Sequence, residues 1–300
     1  MDVVVFGAGS LGSLVGGLLS REHDVTLVGR DPHVSALKES GLRVTGELNF
    51  HTTPAATTDG TGLDSDLAIV TVKAFDTDAV ASDLTTGQFE AVLSLQNGIG
   101  NEETLAARVD AEILAGTATY GAMVEEPGTV RCTGVGEVVL GPREGGRSPV
   151  ADRIGTAFEE AGIRTTVAAD TPRRLWEKLA VNAGINGVTA LARVDNGTVL
   201  DEDAIAVARP AAVETARVAR AAGVDLSDES ARARVEAVAE ATAENRSSML
   251  QDIERGRRTE VDALHGAVVD YGERHGVPTP VNRTLAGLLR TWERDRGLRE

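Results

Sequence analysis

Val3-Val4-Val5-Phe6-Gly7-Ala8-Gly9-Ser10-Leu11-Gly12 opens the chain, and its reading governs everything after it. A short β-branched run feeds a G-x-G-x-x-G, and Leu11 to Ser20 then carries a helical pattern. Between a strand and a helix each glycine of this motif has its own task. One allows a tight turn, one lets bare backbone approach a pyrophosphate, and one permits close packing of helix on strand. The helix start adds unpaired N–H groups that attract phosphate. Gly7, Ala8, Gly9, Ser10, Leu11 and Gly12 are therefore candidate dinucleotide ligands.

Working outward, Val25 to Val28, Leu67 to Val72 and Ala91 to Leu95 are further apolar runs, with helical stretches between them. Continuous apolar runs, in place of strict alternation, predict strands covered on both faces and hence a parallel sheet. The expected fold class is α/β, a Rossmann-type dinucleotide-binding domain. Thr129 to Cys132 and Glu137 to Leu140 read as a hairpin, followed by a glycine- and proline-rich loop from Gly141 to Pro149. From Thr171 onward strand signals vanish, and helical patterns run through 172–192, 202–222, 229–254, 258–275 and 281–296. The expectation is a nucleotide domain over residues 1–168 and an all-helical second domain over 169–300. No internal repeat is visible.

The end of the second strand bears on cofactor choice. An NAD site places an acid there for the ribose 2′-hydroxyl, whereas this chain has Val28-Gly29-Arg30-Asp31. The Arg30 guanidinium is suited to a 2′-phosphate and to stacking on adenine, so NADPH is expected ahead of NADH. Asp31 is either a ribose ligand after a one-residue slip or the cap of a helix begun by Pro32, and capping is the preferred reading. Lys73 directly follows one apolar run, and Gln96-Asn97-Gly98 follows another. Both fall beyond carboxyl ends of strands, where ligands of open α/β sheets bind.

In the helical half, Lys178, Asn182 and Asn186 are spaced i, i+4, i+8 within Leu175-Trp176-Glu177-Lys178-Leu179-Ala180-Val181-Asn182-Ala183-Gly184-Ile185-Asn186. They stack along one helix face among apolar neighbours. Such a stripe presents about a dozen hydrogen-bonding sites, each costing roughly 1–3 kcal/mol if buried without a partner. A bound polar small molecule would supply the partners; so would an exposed face or a polar network between helices. Asn245-Arg246-Ser247-Ser248 gathers poor helix formers that prefer caps, marking a helix break. Glu260 reads equally well as a surface acid in a salt bridge.

Three hundred residues suit two domains. Forty-six acids against thirty bases give a net charge of −16, which argues against a general nucleic-acid binder. Only Lys38, Lys73 and Lys178 among the bases are lysines. An acidic, lysine-poor surface suits a halophilic protein, because at molar salt screening shortens to roughly 3 Å and self-repulsion becomes tolerable; drift in a GC-rich genome would explain the scarcity of lysine but not the excess of acids. No apolar run is long enough to span a membrane. The acid at Asp2 opposes a signal-peptide reading. A lone cysteine, Cys132, excludes an internal disulfide and a cysteine-based zinc site, and no metal is expected. A reducing cytoplasm is the expected compartment.

At these residues the chain resembles the 2-dehydropantoate 2-reductase (ketopantoate reductase) family. The shared marks are the Gly7–Gly12 loop, Lys73, Gln96-Asn97-Gly98, Leu175 to Asn182, Asn186, Ala243 to Asp252 and Thr259-Glu260-Val261-Asp262, in order over nearly the whole length. The resemblance implies NADPH-dependent reduction of 2-dehydropantoate to (R)-pantoate, on the route to pantothenate and coenzyme A. It implies Lys178 as proton donor and Asn182, Asn186, Asn196, Asn245, Arg246, Ser247 and Ser248 as substrate ligands. Lys73, Asn97, Ala122 and Glu260 would contact the cofactor, with Asn97 also touching substrate. One departure is Asn186-Gly187, where the family usually has Asn-Pro, which puts the geometry of Asn186 in question. Rival readings are a reductase of another 2-oxo acid with the same plan and a regulatory protein that senses NADPH without chemistry. Composition neither demands nor excludes a homodimer.

Overall fold

The computed structural model describes residues 1–299, and the chain forms two compact units. Met1–Gln96 with Asn101–Pro172 make the first; Asn97–Gly100 and everything from Arg173 on make the second.

The first unit contains β1 (Asp2–Phe6), α1 (Ser10–Leu19), β2 (Asp24–Val28), α2 (His33–Ser40), β3 (Leu42–Gly46), β4 (Phe50–Thr52), β5 (Ala55–Thr57), β6 (Ser65–Val70) and α3 (Thr77–Leu84). It continues with β7 (Phe89–Ser94), α4 (Asn101–Ala106), β8 (Glu112–Ala118), β9 (Gly121–Glu126), β10 (Thr129–Gly134), β11 (Val138–Pro142), α5 (Pro149–Glu160) and β12 (Thr165–Val167). Eight strands form the main sheet in the order β12-β11-β8-β7-β6-β1-β2-β5. Every neighbouring pair is parallel except β8 and β11. Buried runs such as Leu67–Val70 and Ala91–Leu93 match the expected parallel centre, covered on both faces.

A second sheet, β4-β3-β10-β9, packs on α1. This explains why α1 is apolar almost all round: Leu14, Val15, Leu18 and Leu19 are buried with Val25 and Leu27 of one sheet and Leu42, Val44 and Val130 of the other. The expected hairpin between 129–132 and 137–140 is corrected here, because β10 and β11 lie in different sheets. β10 turns back on β9 through Pro127-Gly128, with Gly128 at φ +80°, while β11 pairs antiparallel with β8.

The second unit is helical: α6 (Thr171–Ala192), α7 (Glu202–Ala221), α8 (Asp228–Ala241), α9 (Ser248–Glu254), α10 (Ala267–His275) and α11 (Pro280–Asp295). The expected helix over 229–254 is two helices, broken at 242–247. The pattern over 258–275 is a π-turn, Asp262–Gly266, leading into α10. Where a break near 168 was expected, the units divide between Pro172 and Arg173, inside the first turn of α6. In that turn the Thr171 hydroxyl donates to Ala168 O at 3.0 Å. No described helix is long and apolar enough to cross a membrane.

Candidate active site

In the first unit the loop between β1 and α1 divides its glycines by environment. Gly7 sits at φ +108°, and a Cβ there would lie 2.7 Å from Val72 N. A Cβ on Gly12 would lie 2.2 Å from Gly7 O and 2.4 Å from Thr71 Oγ1, so this contact between helix and loop tolerates no side chain. Gly9 differs: the nearest atom to its Cβ position is 3.9 Å away. It offers open backbone at the N-cap of α1, the cradle a pyrophosphate needs. Thr71 fixes the loop by donating its hydroxyl toward Phe6 O and Gly7 O. Ala8 N donates to Val28 O, and Ser10 Oγ accepts from Val124 N of β9 at 3.2 Å. Leu11 and Ala122 pack, partly buried, on the core beneath.

Arg30 is exposed at the end of β2 and pairs with Asp76 at 2.9 Å. Asp31 has a different employment: its Oδ1 accepts from Ser35 N at 3.1 Å and Ser35 Oγ at 2.7 Å, so it serves the first turn of α2 from one residue before the N-cap, which is Pro32 and not Asp31. Lys73 is half-buried just after β6, and its carbonyl accepts from Asp76 N. Nearby, Gln96 is buried and donates to Val72 O at 3.1 Å and Thr77 Oγ1 at 2.8 Å. Gln96 thereby ties the end of β7 to the segment leading into Lys73.

In the second unit, α6 carries Lys178 and Asn182 half-buried and Asn186 buried along one face. The helix is held by Trp176, which packs edge-on against Tyr271 of α10 at 5.5 Å between ring centroids. One turn past Asn186, the Thr189 hydroxyl meets Ser247 Oγ at 2.7 Å. Ser247 also accepts from Leu250 N and so caps α9, which accounts for the break expected at 245–248. Asn196 is buried beside this break. Its amide donates to Thr242 Oγ1 at 3.0 Å, its N–H donates to Asn245 O, and its Oδ1 has no protein partner. Asn245 and Ser248 are exposed. Arg246 forms surface pairs with Glu254 at 3.1 Å and Asp195 at 3.6 Å.

Asn97 and Glu260, far apart in the chain, are brought together: Asn97 Nδ2 donates to the Oε2 of the buried Glu260 at 3.1 Å. Both adjoin the π-turn, which sequence patterns do not reveal. His265, in that turn, is fully buried against Gly187, the neighbour of Asn186. Burial depresses its pKa to about 4, against the opposing pull of Asn282. Its Nδ1 lies 2.8 Å from Asn282 Oδ1, and since the Asn282 amide donates to Ala211 O and Glu214, that oxygen acts as the acceptor. The imidazole is therefore neutral with the proton on Nδ1. Sequence reasoning missed His265 and Asn282, whose role depends on contacts between distant helices.

Two family models cover most of the chain: Ketopantoate reductase PanE/ApbA over residues 3–145, and Ketopantoate reductase PanE/ApbA C terminal over residues 170–293. The chain belongs to the ketopantoate reductase PanE/ApbA family. Relatives include the 2-dehydropantoate 2-reductase of Halobacterium salinarum, 45% identical across 98% of this chain and 100% of that one. The 2-dehydropantoate 2-reductase of Archaeoglobus fulgidus is 43% identical across 96% of each. Among solved structures, a PanE/ApbA family ketopantoate reductase from Ralstonia eutropha JMP134 superposes with a TM-score of 0.91 at 33% identity, covering 99% of this chain and 100% of that one. A ternary structure of D-mandelate dehydrogenase with NADH and anilino(oxo)acetate superposes at 0.93 with 26% identity over the full length of both. Ketopantoate reductases thus share their fold with an enzyme solved with NADH, so the cofactor must be read from side chains such as Arg30.

Proposed function

We propose that this chain reduces 2-dehydropantoate to (R)-pantoate with NADPH, with Lys178 as proton donor. The observation that carries the reading is the Lys178–Asn182–Asn186 face of α6, a cation and two carboxamides on one rigid element. When bound, NADPH would supply the hydride for C2 of the substrate. The residues fitted to hold it are the open backbone at Gly9, the start of α1, and Arg30 for the 2′-phosphate, with Lys73, Asn97, Ala122 and Glu260 as further cofactor contacts.

As C2 accepts the hydride, negative charge grows on its carbonyl oxygen. The Lys178 ammonium donates a hydrogen bond to that oxygen, stabilises the charge as it develops and passes over a proton; water then reprotonates the amine. Asn182 and Asn186 supply both donors and acceptors, matching the carboxylate and hydroxyl of the substrate. Exposed Asn245 and Ser248 join Arg246 in the proposed substrate-binding set. Ser247 and Asn196 serve that set by building the break that presents it.

Substrate and cofactor are both anions, and the protein carries a net charge of −16. Attraction must therefore be local, and two of the three lysines stand in the proposed binding set. A cytoplasmic place of action fits the lone, buried thiol of Cys132.

Reduction of a different 2-oxo acid is the competing reading, supported by the D-mandelate dehydrogenase likeness. Steady-state oxidation of NADPH and NADH in molar KCl, with ketopantoate, pyruvate and 2-oxoisovalerate as alternatives, separates the two. The proposal expects ketopantoate with NADPH to give the highest kcat/KM. Faster turnover of either other acid supports the competitor, and tight NADPH binding without turnover supports a sensor.

A further inference from the structure

Glu293 of α11 is fully buried, and the chemistry above gives it no task. Its Oε1 accepts from Thr259 N at 2.8 Å and from Thr259 Oγ1 at 2.6 Å. Thr259 Oγ1 in turn accepts from Val261 N at 3.2 Å. These bonds pin the backbone on both sides of Glu260. Glu293 Oε2 lies 3.1 Å from Arg299 Nε, and the same guanidinium pairs with Asp262. Asp262 also takes Arg290 at 2.9 Å and Arg258 at 3.6 Å. The far end of α11 and the tail after it thus grip residues 258–262 from behind.

What they grip is the segment that reaches the site. Glu260 is buried and holds Asn97. The next residue in the chain, Gly98, lies flat on the π-turn: a Cβ there would stand 2.2 Å from Ala263 O. A displacement of the turn would therefore move Glu260 and the Asn97 segment together. Burying a carboxylate is costly unless several donors meet it. Glu293 accepts two hydrogen bonds, both from the single residue next to Glu260, and its other oxygen is matched by the charge of Arg299.

We propose that Glu293 is a positioning residue for the reaction: acting through Thr259, it fixes Glu260 and hence Asn97. The inference rests on the reading of Asn97 and Glu260 as members of the site. Glu293 is fully buried and bonded to Thr259, so in this proposal its effect passes through Glu260. That is the property to test.

The experiment is a double-mutant cycle on the full chain, with Glu293→Gln, Glu260→Gln and the pair, reading kcat and KM for NADPH and ketopantoate together with Tm. Glu293→Gln alone is expected to lower kcat/KM about tenfold, and to cost less than about twofold once Glu260 is already Gln, because the group it positions is gone. The loss in Tm should be equal in both backgrounds. An equal fold-loss of activity in both backgrounds would mark Glu293 as merely structural and overturn the proposal, as would wild-type kcat/KM in Glu293→Gln. Wild-type turnover in Glu260→Gln alone would remove the reading beneath it. If Glu293→Gln does not fold, Thr259→Val enters the same cycle, with Thr259→Ser expected to restore activity and its failure to do so counting against the proposal.

Discussion

At position 187 a side chain has nowhere to go. A Cβ would lie 2.4 Å from His265 Nε2, and the imidazole is fully buried, held at its other nitrogen by Asn282. The departure from the family's Asn-Pro does not loosen the helix here. α6 runs on to Ala192, with the Thr189 hydroxyl donating to Ile185 O at 2.9 Å. Helix propensity penalises glycine by about 1 kcal/mol relative to alanine, so an exposed position would gain from the exchange. At 187 overpacking outweighs that gain. Gly187→Ala is expected to lose about 1–3 kcal/mol in denaturant unfolding, and His265→Ala in the same chain should recover part of the loss. A Gly187→Ala protein as stable as wild type would mean that the imidazole moves freely.

Among elements, the break between α8 and α9 is built by Ser247, whose hydroxyl serves both the Leu250 N–H and Thr189. Ser247→Ala should cost about 1–2 kcal/mol, from a lost cap and a buried hydroxyl left with one partner fewer. Its KM for ketopantoate should stay close to that of wild type; a raised KM with unchanged stability would make Ser247 a direct ligand instead. This break was legible because Asn and Ser cluster locally, as was the α6 face, whose residues follow helical spacing. The parallel centre of the main sheet was legible for the same reason, in runs such as Leu67–Val70. What escaped depends on partners far away in sequence. β9, Gly121–Glu126, lacks alternation, so Pro127-Gly128 was not read as a turn and β10 was matched to the wrong strand. The pairing of Asn97 with Glu260 and the grip of Glu293 on Thr259 join segments that no local pattern connects.

On the scale of the whole molecule, two buried titrating groups give stability opposite pH dependences. Burial raises the Glu102 carboxyl to about 7, with the Ser94 hydroxyl opposing. The folded state then holds a proton that the unfolded chain releases, so its contribution is full below about pH 4.5 and is lost as pH rises through 7. His265, lowered to about 4, contributes stability above its unfolded value of 6.5 that is lost as pH falls through 4. Glu102→Gln removes the first limb alone, and its stability relative to wild type should climb by up to about 3 kcal/mol between about pH 5 and pH 8. Parallel curves would contradict the burial argument. The net charge of −16 adds a salt dependence, and a melting point unchanged between about 10 mM and about 1 M KCl would contradict a halophilic design. In the proposed reaction Gly9, in the first unit, is assigned to the cofactor, and Lys178, in the second, to proton transfer. That division is tested most directly by Lys178→Ala, assayed for turnover of ketopantoate and, separately, for NADPH binding by fluorescence titration. With Lys178 as proton donor, kcat falls at least about a hundredfold while NADPH affinity stays near wild type; full turnover in that variant would contradict that role.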